Sequence, residues 1–461
     1  MIEGLLPYPE YKESGMQWLG RFPSHWDVRR MKLLLREVDS RSVTGKEQLL
    51  RVSQYTGVTQ RKATDGSEAP DTRAASLVGY KRVAKQDLVI NIMLAWNGSL
   101  GASRYDGIAS PAYCVYRFNK SASPWYYHEL LRLPLYKGRI KTASTGVVES
   151  RLRLYSDDLG RIETLVPPQD EQAAIVRFLD HANRKIDGFI RAKRKLIALL
   201  GEQKQAIIHR AVTRGLDPNA PLKPSGIPWL GDIPKHWETP MNRQIFRENI
   251  RPHNGKAERP LSLSQRAGLI ATDEMLERSL KTSTYDNWKT TIQGDLVVNR
   301  FKAHLGVFFA ATLRGIVSFH YGVFEPQRKL NTKFFELLYH TTPYRTIYAG
   351  RSNGMTVGLQ NLSNQNFYAV RSIVPPLEEQ EAIVAHSETA TVALNTAIAR
   401  TEREIALMQE YRTRLTADVV TGKLDVCPAA AHLPALPAAS STPEPLPDEA
   451  DEELETEEAD A

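Results

Sequence analysis

Two long stretches of this chain carry an apolar stripe that nothing interrupts. In the first, Ile175, Leu179, Ala182, Ile186, Phe189, Lys193, Leu196, Leu200, Gln203 and Ile207 follow one another at spacings of four and three. That alternation is the a/d seam of a coiled-coil helix. In the second, Ile383, Ala390, Leu394, Ile405, Met408 and Leu415 keep a noisier version. Each stretch opens on a Pro-Pro pair (Pro167-Pro168 and Pro375-Pro376) followed by carboxylates, Asp170 and Glu171 or Glu378 and Glu379. Proline presets a first helical turn, and carboxylates suit the positive end of the helix dipole. No further proline occurs before Pro218 or Pro428. The pattern predicts two helices of about 40 residues, roughly 60 Å each. A long helix with one apolar stripe needs a partner. The simplest solution packs the two on each other, antiparallel; two ordinary core helices are the alternative.

Between these stretches the apolar runs are short. Asp87-Leu88-Val89-Ile90-Asn91 and Gly294-Asp295-Leu296-Val297-Val298-Asn299 have the length and content of buried strands. They also correspond to each other, as do the helix openings: Pro167 to Val176 and Pro375 to Val384 agree at seven of ten positions, 208 residues apart. Ser14-Gly15-Met16-Gln17-Trp18-Leu19-Gly20 through His25-Trp26 returns as Ser225-Gly226-Ile227-Pro228-Trp229-Leu230-Gly231 through His236-Trp237, at an offset of 211. Ser53-Gln54 and Ser264-Gln265 keep that offset. The helix ends, Val212-Thr213 and Val420-Thr421, keep 208. The chain is therefore two copies of one unit, a globular part followed by a long helix. The landmarks match, and the polar loops between them do not.

This gives an α+β organisation with five segments. Residues 1–166 form the first globular domain and 167–217 the first helix. A Pro-rich linker, Pro218 to Pro224, leads into a second domain over 218–374, and a second helix covers 375–425. Residues 426–461 are rich in Pro and Ala, end in an acidic run, and read as a disordered tail.

Charge adds a partner class. All 60 Lys and Arg, but only 43 of the 53 acidic residues, precede residue 426. A basic body favours a polyanion such as nucleic acid. Cys114 and Cys427 are the only cysteines, so neither a disulfide framework nor a metal knuckle is expected, which suits a reducing cytoplasm. No apolar run is long enough for a membrane span, and Met1-Ile2-Glu3-Gly4 does not open a signal peptide.

Catalytic motifs are missing from the sequence. There is no Gly-x-x-x-x-Gly-Lys-Ser/Thr loop and no Gly-x-Gly-x-x-Gly, and the eleven histidines are scattered. The Pro-Pro pairs follow Val166 and Val374, not the Asn that amino-methyltransferases place there. Pro70-Asp71 meets no Glu-x-Lys before Glu202-Gln203-Lys204, inside the long helix. A binder without a catalytic centre, metal or cofactor is the expectation.

Taken in order, the Trp26 and Trp237 openings, the Asp87 and Asp295 strands, the Pro-Pro…Glu-Gln helix starts and the Thr213 and Thr421 helix ends resemble the specificity subunit of type I restriction–modification systems. The resemblance covers about residues 8–425; the acidic tail lies outside the common pattern. It implies two target-recognition domains, each reading half of a bipartite asymmetric DNA sequence. It implies an antiparallel coiled coil that holds them apart with pseudo-twofold symmetry. Two methylation subunits carrying S-adenosylmethionine would dock on it, and two motor-nuclease subunits using ATP and Mg could join them. A stand-alone endonuclease or methyltransferase, and a coiled-coil adaptor without DNA readout, are the competing readings.

Base readout needs donors and acceptors on loops held by a rigid body. In the first domain the candidates are Ser53, Gln54, Tyr55, Arg61, Lys62, Trp96, Asn97, Lys141, Ser144 and Thr145. In the second they are Ser264, Gln265, Arg266, Arg300, Lys302, His304, Arg351, Ser352 and Asn353. Arg and Lys suit guanine or phosphate, Gln and Asn suit adenine, and Tyr55 and Trp96 could stack on bases or belong to the core. The recurring Ser-Gln pairs suit scaffold or phosphate contact better than the reading of two different sequences.

Overall fold

A computed structural model describes residues 5–434 apart from 62–73, 75, 149–150, 254–257, 266, 275–284, 286 and 354–359. Each globular part is built on a four-stranded antiparallel sheet. In the first the order is Leu35–Glu37, Tyr113–Phe118, Leu88–Asn91, Leu100–Ala102. In the second it is Phe246–Glu248, Tyr321–Pro326, Leu296–Asn299, Phe308–Ala310. The apolar runs seen in the sequence are the inner strands, buried at every position.

Burial on both faces follows from the period of two along a strand. Leu88 and Ile90 point into a large core with the helices Pro124–Leu131 and Pro134–Ala143, whereas Val89 points into a small core with Leu50, Val52, Val58 and Val83. The second domain repeats this: Leu296 and Val298 face one core, and Val297 faces the other with Leu261, Leu263 and Leu269. The small core is closed by two-stranded elements, Leu50–Ser53 with Gly57–Gln60 and Lys81–Val83 with Gly107–Ala109. Their counterparts are Leu261–Ser264 with Gly268–Ala271 and Lys289–Thr291 with Gly315–Val317.

The landmark aspartates hold these sheets. Asp87 accepts from the Ala84 amide at 2.9 Å and takes Arg117 as a two-pronged partner at 2.9 and 3.0 Å. Asp295 accepts from the Ile292 amide at 2.9 Å and pairs with Arg251. Both carboxylates are almost fully buried, where an ionised group needs such partners.

The two long helices span Gln169–Arg214 and Leu377–Val420, 46 and 44 residues. By contacts the chain forms two compact units, Met1–Arg191 with Ile405–Ala461, and Ala192–Glu404. Both dividing points fall inside the helices, so each helix is shared between units. In the first unit Ile175, Phe178, Leu179 and Ala182 join the core together with Leu415, Val419 and Val420. An ion pair joins Asp187 to Arg412. In the second unit Ile208, Ala211 and Val212 meet Ile383 and Val384, and Lys193 pairs with Glu404 at 2.6 Å. The start of one helix thus lies against the end of the other, in antiparallel sense.

The expected seam of the first helix is corrected by one residue. Ile190 and Ile208 are buried, not Phe189 and Ile207, and Leu196 is exposed. A helix that keeps about 3.6 residues per turn drifts away from a strict seven-residue repeat in this way. On the second helix the sequence overlooked polar seam positions: Gln380, Ser387, Thr391 and Thr401 are buried beside the apolar ones.

The tail begins later than expected. Cys427–Ala431 is a short helix, with Val426 and Ala430 buried in the first unit's core. Apolar side chains within reach of that core outweigh the local Pro/Ala composition. Residues 435–461, with the acidic run, lie outside the described residues.

Candidate DNA interface

The repeated sequence motifs form joints. Trp26, fully buried, donates from Nε1 to Glu171 Oε2 at 2.8 Å, and His25 Nε2 lies 2.6 Å from Glu171 Oε1. Trp237 and His236 hold Glu379 at 2.9 and 2.6 Å. Gln172 accepts from the Ser123 amide and donates to Pro167, while Gln380 accepts from Asn331 and donates to Pro375. Each helix start is thereby fixed to the domain that precedes it. The helix ends reach the other domain's tryptophan. A Cβ at Gly422 would meet Pro23 and Trp26 at 2.5–2.9 Å, and one at Gly215 would meet Trp237 at 3.2 Å. These recurring motifs build the frame.

In the first domain the structure brings three nominated segments together. Ser53–Tyr55 form the tip of one hairpin, and Trp96 and Asn97 follow the strand Leu88–Asn91. Lys141 lies near the end of the helix Pro134–Ala143. Gln54 and Asn97 are bonded through their side chains, and the Lys141 ammonium sits 5.3 Å from the Trp96 ring centre. Trp96 donates to the Met93 carbonyl at 3.1 Å and rests on the main core, so its ring is part of the fold. Ser53 is buried and caps the turn, accepting from the Tyr55 amide at 3.0 Å. Tyr55 and Lys141 are exposed. Arg61 is half-buried, and its amide binds Leu49 at 2.9 Å. Ser144 closes its own helix by donating to Ile140, and the exposed Thr145 bridges to Arg153. Lys62 and Arg266 lie outside the described residues.

In the second domain Arg300, Lys302 and His304 lie on the turn Arg300–Leu305, beside the helix Thr342–Arg351. The Arg300 guanidinium points inward, to Glu248 and Asn364 at 2.7 Å each. Burial would raise the Glu248 pKa, but bonds to Lys289 and Asn364 and the charge of Arg300 hold it below the usual range. The structure therefore gives Arg300 a scaffold bond that an isolated Arg in a loop does not advertise. His304 is half-buried. Ser352 donates to Tyr348 at 2.7 Å, and Asn353 pairs by backbone with Asn361. Ser264 accepts from the Ala267 amide at 3.3 Å. Gln265, Lys302, Arg351 and Asn353 are exposed. Sequence reasoning passed over Arg132, His128 and Lys137, which pack beneath the first cluster, because no repeated motif contains them. It also passed over the ring cluster around His320, whose centroid lies 5.2 Å from that of Phe301 and 3.8 Å from that of Phe319.

No protein-family model matches this chain, and no curated protein matches it. Solved structures do. A chain from a structure of complex assembly and conformational transition in a type I R-M system is 15% identical, with a TM-score of 0.58 over 87% of this chain and 99% of that one. The HsdS subunit from Thermoanaerobacter tengcongensis is 16% identical over 89% and 100%, with a TM-score of 0.40. The S subunit of a type I restriction-modification system from M. genitalium is 11% identical over 87% and 96%, with a TM-score of 0.34. The first of these carries the comparison: this chain has the fold of a type I R-M component over nearly its whole length.

Proposed function

We propose that this chain is the non-catalytic specificity subunit of a type I restriction–modification system. In this reading the two globular domains each read one half of a bipartite DNA target. The single observation that carries the reading is the doubled scaffold: identical joints at Glu171 and Glu379, with different side chains at the loop positions between them. One frame with two loop sets suits two similar tasks on two different sequences. Tyr55, Asn97 and Lys141 are the first domain's best candidates for DNA contact, and Gln265, Lys302, Arg351 and Asn353 are the second's. Lys and Arg supply phosphate or guanine contacts, and Gln and Asn supply adenine contacts. Methyl transfer belongs to two partner methylation subunits with S-adenosylmethionine. Cleavage, where it occurs, belongs to a motor-nuclease partner with ATP and Mg. Leu196, Leu199, Val392 and Leu407 are exposed apolar residues of the long helices that such a partner can cover.

The test is co-expression with the methylation subunit, followed by mapping of methylated adenines. One bipartite motif, absent when this chain is deleted, is expected. Methylation or cleavage by the rigorously purified chain alone, or a motif without two halves, would overturn the reading.

A further inference from the structure

The nominated loops of the first domain come from segments some 40 residues apart, the hairpin tip at 53–56 and the turn at 94–100. One side chain is bonded to both. The Arg132 guanidinium, on the residue that ends the helix Pro124–Leu131, donates to the carbonyls of Ser53 at 3.3 Å, Gln54 at 3.0 Å and Tyr55. It also donates to Gly98 at 3.2 Å and Leu100 at 2.9 Å. Five carbonyls on one planar cation use the fork geometry that only Arg provides. Beneath it, His128 accepts from the Ala102 amide at 3.2 Å. Burial, with the charges of Arg132 and Arg104, holds His128 well below the usual imidazole range, so the ring stays neutral. Gly57 permits the approach, since a Cβ there would meet His128 at 2.8 Å.

The second domain solves the same packing problem differently. At the repeat offset Arg132 becomes His340, His128 becomes Glu336 and Gly101 becomes Phe309. Glu336 accepts from the Ala310 amide at 2.9 Å, as His128 does from Ala102. His340 interacts with the backbone of Gly306 and Phe308, the counterparts of Gly98 and Leu100, and burial pushes its pKa down to about 4. A Cβ at Gly268, at the hairpin tip, would meet the Phe309 ring at 3.1 Å. A charged clamp on carbonyls in one domain is an aromatic contact in the other.

We propose that Arg132 is the positioning residue of the first domain's reading surface. Without touching DNA, it locks the hairpin tip and the 94–100 turn into one rigid unit, and first half-site specificity depends on it. This rests on the reading of the chain as a specificity subunit.

The experiment uses the full chain with its methylation partner. Methylation is compared on the mapped target and on single-base changes in each half-site, for wild type, Arg132→Gln and Arg132→Lys. A correctly read base pair discriminates on the order of tenfold or more. Arg132→Gln is expected to lose most of that at the first half-site and none at the second. Arg132→Lys keeps the charge but not the fork and should fall between; it also stands in if the Gln variant does not fold. In parallel, hydrogen exchange of the free chain should speed up at both 53–60 and 94–102 in the variants. A folded variant with unchanged first half-site discrimination, or with equal loss at both half-sites, overturns the proposal. If wild type shows no bipartite preference, the specificity-subunit reading fails. The exchange measurement still decides the clamp, because unchanged protection in both segments would show that Arg132 does not lock them.

Discussion

At the residue scale, the side chains that recur between the two halves are those that fix helices to domains. Glu171 and Glu379 each satisfy a buried indole N–H, which would otherwise remain without a partner in an apolar core. The helix-ending glycines have a different reason to recur. Gly422 has φ of 76°, and its missing Cβ leaves room for Pro23 and Trp26. Gly201 is also in a long helix, but nothing lies within 4 Å of a Cβ there. Two substitutions of the same kind should therefore have opposite signs. Gly201→Ala should stabilise by up to ~1 kcal/mol through helix propensity. Gly422→Ala should destabilise by about 1–3 kcal/mol through backbone strain, with the clash at Trp26 adding to it. Denaturant unfolding of the two variants compares them directly, and a stabilised Gly422→Ala would remove that glycine from the joint.

At the element scale, the long helices are not uniform. Their outer turns carry the apolar contacts, Ile175 to Ala182 with Leu415 to Val420 and Ile208 to Val212 with Ile383 and Val384. The middle of the second helix places Ser387, Thr391 and Thr401 at buried positions, where Thr391 and Thr401 return their hydroxyls to the carbonyls of Ser387 and Ala397. Leu196 and Leu199 are 40% and 51% exposed. The apolar content of a seam position therefore does not predict its energetic weight here. Ile190→Ala should cost about 2–5 kcal/mol, as deletion of buried methyl groups does. Leu196→Ala, at a position that a strict heptad puts in the seam, should cost no more than ~1 kcal/mol. Equal losses in urea unfolding would restore the heptad register of the first helix.

At the scale of the whole molecule, each unit combines a globular part with the start of one helix and the end of the other. Each globular part keeps its own two cores. With the proposed function, that independence predicts modular recognition. Replacing the globular part over 1–166 with that of a relative, while keeping Glu171 and Gly422 matched to its His-Trp pair, should change one half of the methylated motif and leave the other. Motif mapping of the hybrid checks this, and change in both halves would show that the two parts do not read independently.

The sequence alone determined the repeat, the two helices, the inner strands and the recurring motifs, and for one reason. These features follow from local periodicity or from residue types that recur at a constant offset. A buried strand such as Leu88–Asn91 needs only its own apolar run, and the Pro-Pro…Glu-Gln opening needs only its own turn. What tertiary structure decided is where side chains from distant segments meet. Nothing near Arg132 in sequence indicates that its guanidinium reaches five carbonyls in two loops, and nothing near Arg300 indicates that Glu248 and Asn364 take it inward. The shift of the first helix's stripe from Phe189 to Ile190 is likewise a tertiary outcome. Helical drift accumulates along the helix, and only tertiary packing selects which residue is covered.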